Sequence, residues 1–317
     1  MTTTMAGALE RSGAPALVPP CGTRSVEPGG RLNVTDDAVR QHMEHAIARG
    51  LPNVSVGHDR GAAVVCALGP SLSDHIELVR AMKGMEIPVL ACKDAVNVLA
   101  RHDVIADYAV FVDGQSHQLA YLDNPPAGTE YLLGSMCHPA MFDRLIELKR
   151  DVRLWHSWPD SADLFDLVPK GQDHLVVAGG TTTGLRTIRL AYAMGLDPLY
   201  LVGFDGCIRE DGTHHANVPQ QFDARIFDVW CAGRTFKVNH ALANQQIRFV
   251  ETLERWREHT ARLIFVGDGL LAHTYQQVMA HPKGWALSHR RSGFDLFADS
   301  GDFDLSFSDD ISNQEFS

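Results

Sequence analysis

Val64-Val65-Cys66-Ala67-Leu68-Gly69-Pro70-Ser71-Leu72-Ser73-Asp74 decides how the rest of the sequence is read. A β-branched apolar run ends in Gly-Pro-Ser, and from Asp74 onward apolar residues recur at helical spacing through Ile76 and Val79. The order is strand, tight turn, helix. In an open parallel sheet such a turn stands at the carboxyl end of a strand, where ligands bind, and the next helix presents backbone N–H groups and a positive dipole end. An anion fits there, a nucleotide phosphate above all. Gly69 lets the backbone approach it, Pro70 fixes φ where no N–H is needed, and Ser71 and Ser73 add hydroxyl donors. Gly-Pro-Ser before a helix is also an ordinary capped turn, so the assignment depends on what else the chain carries.

Outward from this unit the pattern repeats. Short apolar runs at 63–68, 88–92, 108–112, 131–133, 153–156, 175–178, 199–203 and 263–266 read as strands. Between them, 74–82, 95–101, 139–149, 183–194, 242–256 and 271–279 read as helices. Strands this apolar, alternating with helices, predict a doubly wound α/β fold with a mostly parallel sheet and helices on both faces. Residues 1–30, rich in Thr, Gly, Ala and Pro, are expected to be a disordered arm. Residues 31–60 hold a lead-in helix with cap-type residues at Asn33, Thr35 and Asp36 and an apolar face of Val39, Met43, Ala46 and Ile47, stopping at Gly50. The main domain is expected to span 61–292.

The tail, 293–317, differs: Asp295, Asp299, Asp302, Asp304, Asp309, Asp310 and Glu315 stand among Phe294, Phe297, Phe303, Phe307 and Phe316 with no Lys or Arg. It is expected to be disordered, serving either as a docking peptide for a protein partner or as a solvating tail.

Composition narrows the function. With 317 residues, 45% hydrophobic and 21% charged, the chain is long enough for a sizeable core. A net charge of −11 argues against nucleic acid or an anionic membrane as partner. Six cysteines without C-x-x-C or zinc-type spacing suit reduced thiols, as in a cytoplasmic protein. The first thirty residues lack a secretory pattern, and no run is apolar enough to span a membrane.

The second half of the chain restates the opening turn. Leu175-Val176-Val177-Ala178 runs into Gly179-Gly180-Thr181-Thr182-Thr183-Gly184 ahead of a helix, which marks a second anion or ribose site, with Gly179 and Gly180 for close approach and Thr181, Thr182 and Thr183 as hydroxyl donors. Asp205 ends the run Leu199 to Gly203, and Asp113 ends the run Tyr108 to Val112. Two carboxylates converging on a nucleotide diphosphate hold Mg²⁺; singly, each merely closes a turn. His214 and His215, in Gly212-Thr213-His214-His215-Ala216, and His240, ahead of the last long helix, have the intrinsic pKa of a base for an acceptor hydroxyl. Adjacent His214 and His215 are expected to point in different directions.

Taken in order, Gly69-Pro70-Ser71-Leu72, Ile105 to Asp113, Gly179 to Thr183, Ala191 to Asp205 and Gly212 to Ala216 resemble the MptE-like domain family. That family includes archaeal 6-hydroxymethylpterin diphosphokinases and motility accessory factors proposed to glycosylate flagellin with nonulosonic acids. A more distant similarity is to bacterial sialyltransferases, which share a Gly-Pro-Ser-Leu loop for the CMP phosphate and a histidine matched here by His240; Leu68 replaces their asparagine. The resemblance implies a Rossmann-like domain binding a nucleotide or nucleotide-sugar at Gly69 to Ser73, with Asp113, Thr181 to Thr183, Asp205 and His214 or His215 around it. Two chemistries use these parts: glycosyl transfer from a nucleotide-sugar to a hydroxyl, and Mg²⁺-dependent transfer of diphosphate from ATP to a hydroxymethylpterin-like acceptor. A nucleotide-binding module without turnover, docked through its acidic tail, is the third reading.

Overall fold

A computed structural model describes residues 34–158, 162–170, 174–216, 225–231, 233–256 and 262–280. The expectations for the 1–30 arm and the 293–317 tail fall outside these residues.

In chain order the elements are α1 (Asp36–Ala48), β1 (Gly61–Cys66), α2 (Ser71–Asp74), α3 (Ile76–Gly84), β2 (Val89–Cys92), α4 (Ala95–Arg101), β3 (Tyr108–Phe111), a 3₁₀ turn (Ser116–Leu122), β4 (Glu130–Gly134), α5 (Pro139–Glu147), β5 (Val152–Ser157), α6 (Ala162–Phe165) and β6 (Val176–Val177). Then come α7 (Thr183–Ala193), β7 (Leu196–Val202), β8 (Phe227–Cys231), β9 (Arg234–Val238), α8 (His240–Trp256), β10 (Leu263–Val266) and α9 (Leu270–Ala280). Eight strands form one sheet in the order β10-β7-β1-β2-β3-β4-β5-β6, and every pairing in it is parallel. From β1 the chain steps outward to β6, then α7 carries it back so that β7 joins the other side of β1. The strand order therefore reverses between β1 and β7, the place where sheets of this kind open a ligand crevice at their carboxyl ends.

The apolar runs are apolar because both faces are covered. One layer packs Trp155, Leu185, Ile188 and Phe249 against the odd side of β1 at Ala63 and Val65; the other packs Val79, Leu99, Phe142 and Leu145 against Val64 and Cys66. Each such side chain, fully withdrawn from water, contributes roughly 1.5–3 kcal/mol. The lead-in helix starts where the sequence placed it, with the Thr35 hydroxyl accepting the Ala38 N–H at 3.3 Å, and Val39 and Met43 enter the first layer.

Two local expectations change. The helix after Gly-Pro-Ser begins earlier and is broken at His75, whose ring Nδ1 donates to the Ser71 carbonyl at 2.8 Å while its backbone N–H turns to Leu72. The ring thus takes an acceptor that helical propagation needs. The antiparallel hairpin β8–β9, absent from the sequence reading, alternates Phe227, Val229 and Cys231 against Phe236 and Val238 over a small core with Leu242 and Leu270. Its period-two pattern was the available signal.

Candidate functional site

The tips of β1 and β7 are bound to each other. The Ala67 N–H donates to Val202 O and the Gly69 N–H to Gly203 O, each at 2.8 Å. Beyond them, Asp205 Oδ2 accepts the Ser71 N–H at 3.0 Å and the Ser71 hydroxyl at 2.9 Å. A Cβ on Gly69 would lie 2.2 Å from that carboxylate oxygen and 2.4 Å from Gly203 O, so glycine is required there by the approach of β7. Burial pushes the Asp205 carboxyl up from its ordinary range, and the Ser71 hydrogen bonds pull it back. The donors that the sequence reading offered to a phosphate at Ser71 are thus engaged by a carboxylate. Pro70 is buried, and the helix starting here has four residues, too few for a substantial dipole. The turn from Gly69 to Ser73 is a joint between two strands.

The second glycine loop leads to a real helix end. Gly179 and Gly180 take φ +92 and +79, Thr181 is exposed, and Thr182 caps the eleven-residue α7, its hydroxyl accepting the Leu185 N–H at 3.3 Å. Although β6 lies at the far edge of the sheet, α7 returns over its middle. The Thr187 hydroxyl meets Cys92 Sγ of β2 at 3.4 Å, and a Cβ on Gly184 would stand 3.0 Å from Phe204 and 3.8 Å from Ala67. Thr183 is buried in this first turn. The amino end of α7 therefore stands over the carboxyl tips of β1 and β2. Gln245 of α8 reaches the Thr182 hydroxyl at 3.4 Å from the other side.

Beside it lie two residues that the sequence reading passed over, Lys93 and Asp94, directly after β2. The Lys93 N–H donates to Val110 O of β3 at 3.0 Å, and its backbone is left-handed at φ +51. Its ammonium pairs with Asp113 Oδ2 at 2.9 Å, while Asp113 Oδ1 accepts the Gln115 N–H at 3.1 Å. The signal was available: Lys93 is the first charged residue after a fully buried strand, as Asp113 and Asp205 are on theirs. The expected pairing of Asp113 with Asp205 around one Mg²⁺ does not fit. Their strands stand three places apart in the sheet, about 14 Å at ~4.8 Å per strand. Both carboxylates have other partners, and no cluster of three His, Cys, Asp or Glu suited to a metal occurs among the described residues.

The histidine loop folds over the same rim. The Ala216 N–H donates to Leu68 O at 2.8 Å, and the loop is anchored by Asp211 Oδ1 accepting the Thr213 N–H and by the ion pair of Arg209 with Asp74. His215 hydrogen-bonds the Leu68 backbone and lies within electrostatic reach of Lys93 and Asp94. The two rings do not point apart: they meet edge to face with centroids 4.1 Å apart. Burial lowers both pKa values, that of His214 to about 4 with His215 adding to the effect. Both rings are neutral at pH 7 and able to accept a proton. His240 opens α8, exposed, its ring 5.1 Å from Phe227 of the hairpin.

Fold and rim together define a doubly wound α/β protein with polar and charged residues gathered at the carboxyl ends of β1 to β3, beside a helix amino terminus and a histidine loop. The family model described as 6-hydroxymethylpterin diphosphokinase MptE-like matches residues 42–211, more than half of the chain, and the chain belongs to this MptE-like family. The match takes in Lys93, Asp113, the threonine loop and Asp205 and stops short of His214. Among solved structures, a MAf glycosyltransferase from Magnetospirillum magneticum AMB-1 is similar, with a TM-score of 0.52 and 17% identity over 80% of this chain and 44% of that one. At that identity the likeness is one of fold, and this chain spans less than half of that structure's length. No curated protein matches the chain. Among the described residues no helix is long and apolar enough to cross a membrane.

Proposed function

We propose that the chain is a nucleotide-dependent transferase whose donor lies across the tips of β1, β2 and β3, under the amino end of α7. The observation that carries this is the convergence of the α7 amino end, the Lys93–Asp113 pair and the His214–His215 loop on one stretch of rim. Transfer of a phosphorylated or phosphate-activated group needs three things. The donor phosphate must be held, the charge of the leaving phosphate offset, and the acceptor hydroxyl relieved of its proton. The helix end and nearby cations serve the first two, and His215, beside Leu68 and Lys93, serves as the base with His214 against it. Asp205 works as a joint, and His240 stands in reserve beside the hairpin.

Glycosyl transfer from a nucleotide-sugar is the reading favoured here, supported by the fold likeness to a MAf glycosyltransferase. The family's description favours the diphosphokinase reading, in which ATP gives its β,γ-diphosphoryl group to a hydroxymethylpterin-like acceptor. Incubation with each donor and analysis of the nucleotide product separates them. CMP from an activated nonulosonate supports glycosyl transfer, and AMP from ATP supports the kinase. Nucleotide binding with neither product, across a panel of acceptors, would leave a binding module and reject the transferase.

A further inference from the structure

The donor's phosphate needs a positive partner, and the carboxylates first assigned to a metal do not assemble one. We propose that Lys93 is the group that receives the donor phosphate, and that Asp113 is the counter-ion that holds its ammonium in place, so that nucleotide binding at this rim needs no divalent cation. This rests on the transferase reading above.

Four observations converge on Lys93. It stands where ligand-binding residues of open α/β sheets stand, immediately past the last residue of a central strand, two places from the point where the strand order reverses. Its backbone is left-handed at φ +51, an unfavourable conformation for a side chain with a Cβ, kept in place by the hydrogen bond from its own N–H to Val110 O. That backbone fixes the direction in which the Lys93 side chain leaves the strand end.

The ammonium is held without being used up. Among the described residues Asp113 Oδ2 is its one hydrogen-bond partner, at 2.9 Å, and an ammonium has three donors. The pair is partly open to solvent, with side-chain exposures of 25% and 21%. Asp113 is itself fixed through its other oxygen by the Gln115 N–H, so it stays in place when a phosphate joins the ammonium.

The surroundings add a second cation and a helix end. Lys93 and Arg186 both act electrostatically on the buried Cys137, as Asp113 does, and Asp94 stands next to them, so two cations face two carboxylates in this corner and a bound phosphate supplies the charge that Lys93 shares, among the described residues, with Asp113 alone. The second turn of α7 meets Cys92, the residue before Lys93, through Thr187, and Gly184 in its first turn stands beside Ala67 and Phe204, so the amino end of this eleven-residue helix lies over the neighbouring strand tips. His215 lies within electrostatic reach of Lys93, so a base and a phosphate ligand stand on the same rim.

The test uses the full chain, titrated calorimetrically with CMP and with ATP in EDTA and again with Mg²⁺. The chains compared are wild type, Lys93→Met, Lys93→Gly and Asp113→Asn. Lys93→Gly relieves the left-handed backbone and covers the case in which Lys93→Met fails to fold. The expected result is that wild type binds at least one of the two nucleotides in EDTA. Both Lys93 variants should weaken that binding tenfold or more while binding the matching nucleoside as wild type does, and Asp113→Asn, which keeps an oxygen for the ammonium but removes the charge, should weaken it by less than either Lys93 variant and to the same extent in EDTA as in Mg²⁺. Wild-type affinity in either folded Lys93 variant overturns the inference and leaves the transferase reading standing. Binding that requires Mg²⁺ and disappears in Asp113→Asn does the same, in favour of a metal site. Failure of the wild-type chain to bind either nucleotide under any condition overturns both.

Discussion

Asp205 and Ser71, 134 positions apart in sequence, share two hydrogen bonds: Oδ2 of the aspartate accepts both the backbone N–H and the hydroxyl of the serine. This pair ties together the two strand tips, of β1 and β7, between which the strand order reverses, and leaves Lys93 and Asp113 at the tips of β2 and β3 as the charged groups of the rim.

A buried joint predicts a particular mutational pattern. Asp205→Ala leaves the Ser71 N–H and hydroxyl without an acceptor and is expected to cost about 2–3 kcal/mol in urea denaturation. Asp205→Asn keeps an oxygen in place and is expected to cost under about 1 kcal/mol, with nucleotide binding retained. An Asn variant that folds normally but loses all activity would identify a reacting carboxylate instead.

Glycine 69 is tested against glycine 84. A Cβ at Gly69 falls 2.2 Å from Asp205 Oδ2 and 2.4 Å from Gly203 O, so Gly69→Ala must part β1 from β7 and is expected to cost at least about 2 kcal/mol. Gly84, at the end of α3 with nothing within 4 Å, is expected to accept alanine with no loss, or a gain of up to about 1 kcal/mol. Equal thermal midpoints for the two variants would contradict the close approach.

The helix over the rim depends on its cap. Thr182→Ala removes the acceptor for the Leu185 N–H and is expected to cost about 1 kcal/mol, whereas the exposed neighbour Thr181→Ala is expected to stay within about 0.5 kcal/mol of wild type. Chemical denaturation of both variants reads this difference.

Acid destabilises the chain through His156. This ring is fully buried, its Nε2 is 3.1 Å from His174 Nδ1, and burial first, then His174, pushes its pKa down to about 4. The folded form therefore binds fewer protons than the unfolded one between about pH 4 and pH 6.5, and stability falls as pH drops through that window. The loss attributable to this ring between pH 7 and pH 5 is about 2 kcal/mol. In His156→Leu the difference in denaturation midpoint between those two pH values is expected to shrink; an unchanged difference would assign the acid sensitivity to other groups.

For activity, the proposed base has a distinct signature. The pKa of His215 is lowered chiefly by burial, so the acid limb of kcat/KM is expected to lie below the ordinary histidine value, and His215→Ala is expected to reduce kcat by about 100-fold or more. His240→Ala, beside the hairpin, is expected to change it far less. The opposite ranking would move the chemistry to the start of α8.

Much of the architecture was legible in local order. Eight short apolar runs separated by helical spacing imply a parallel sheet covered on both faces, and each was found as a strand, though the run at 175–178 is trimmed to two residues. Thr35 caps its helix as its chemistry suggests, whereas the cap of α7 falls on Thr182, one residue before Thr183. The break at His75 was hidden because it depends on a ring competing for the Ser71 carbonyl. The hairpin from Phe227 to Val238 was visible as alternation but was overlooked between helix-like segments.

By itself, the sequence determined the class of fold, the membership of the family and the types of residue gathered at the strand ends, because periodicity and strand-end chemistry are local properties of the chain. Only the tertiary structure decided which strand ends are neighbours. Strand order set Asp113 and Asp205 three places apart, engaged Ser71 with Asp205, and brought Lys93, the start of α7 and His215 together. The physical reason is that side-chain encounters across a sheet follow from the order in which strands pair, and that order is set by long-range packing rather than by any stretch of sequence.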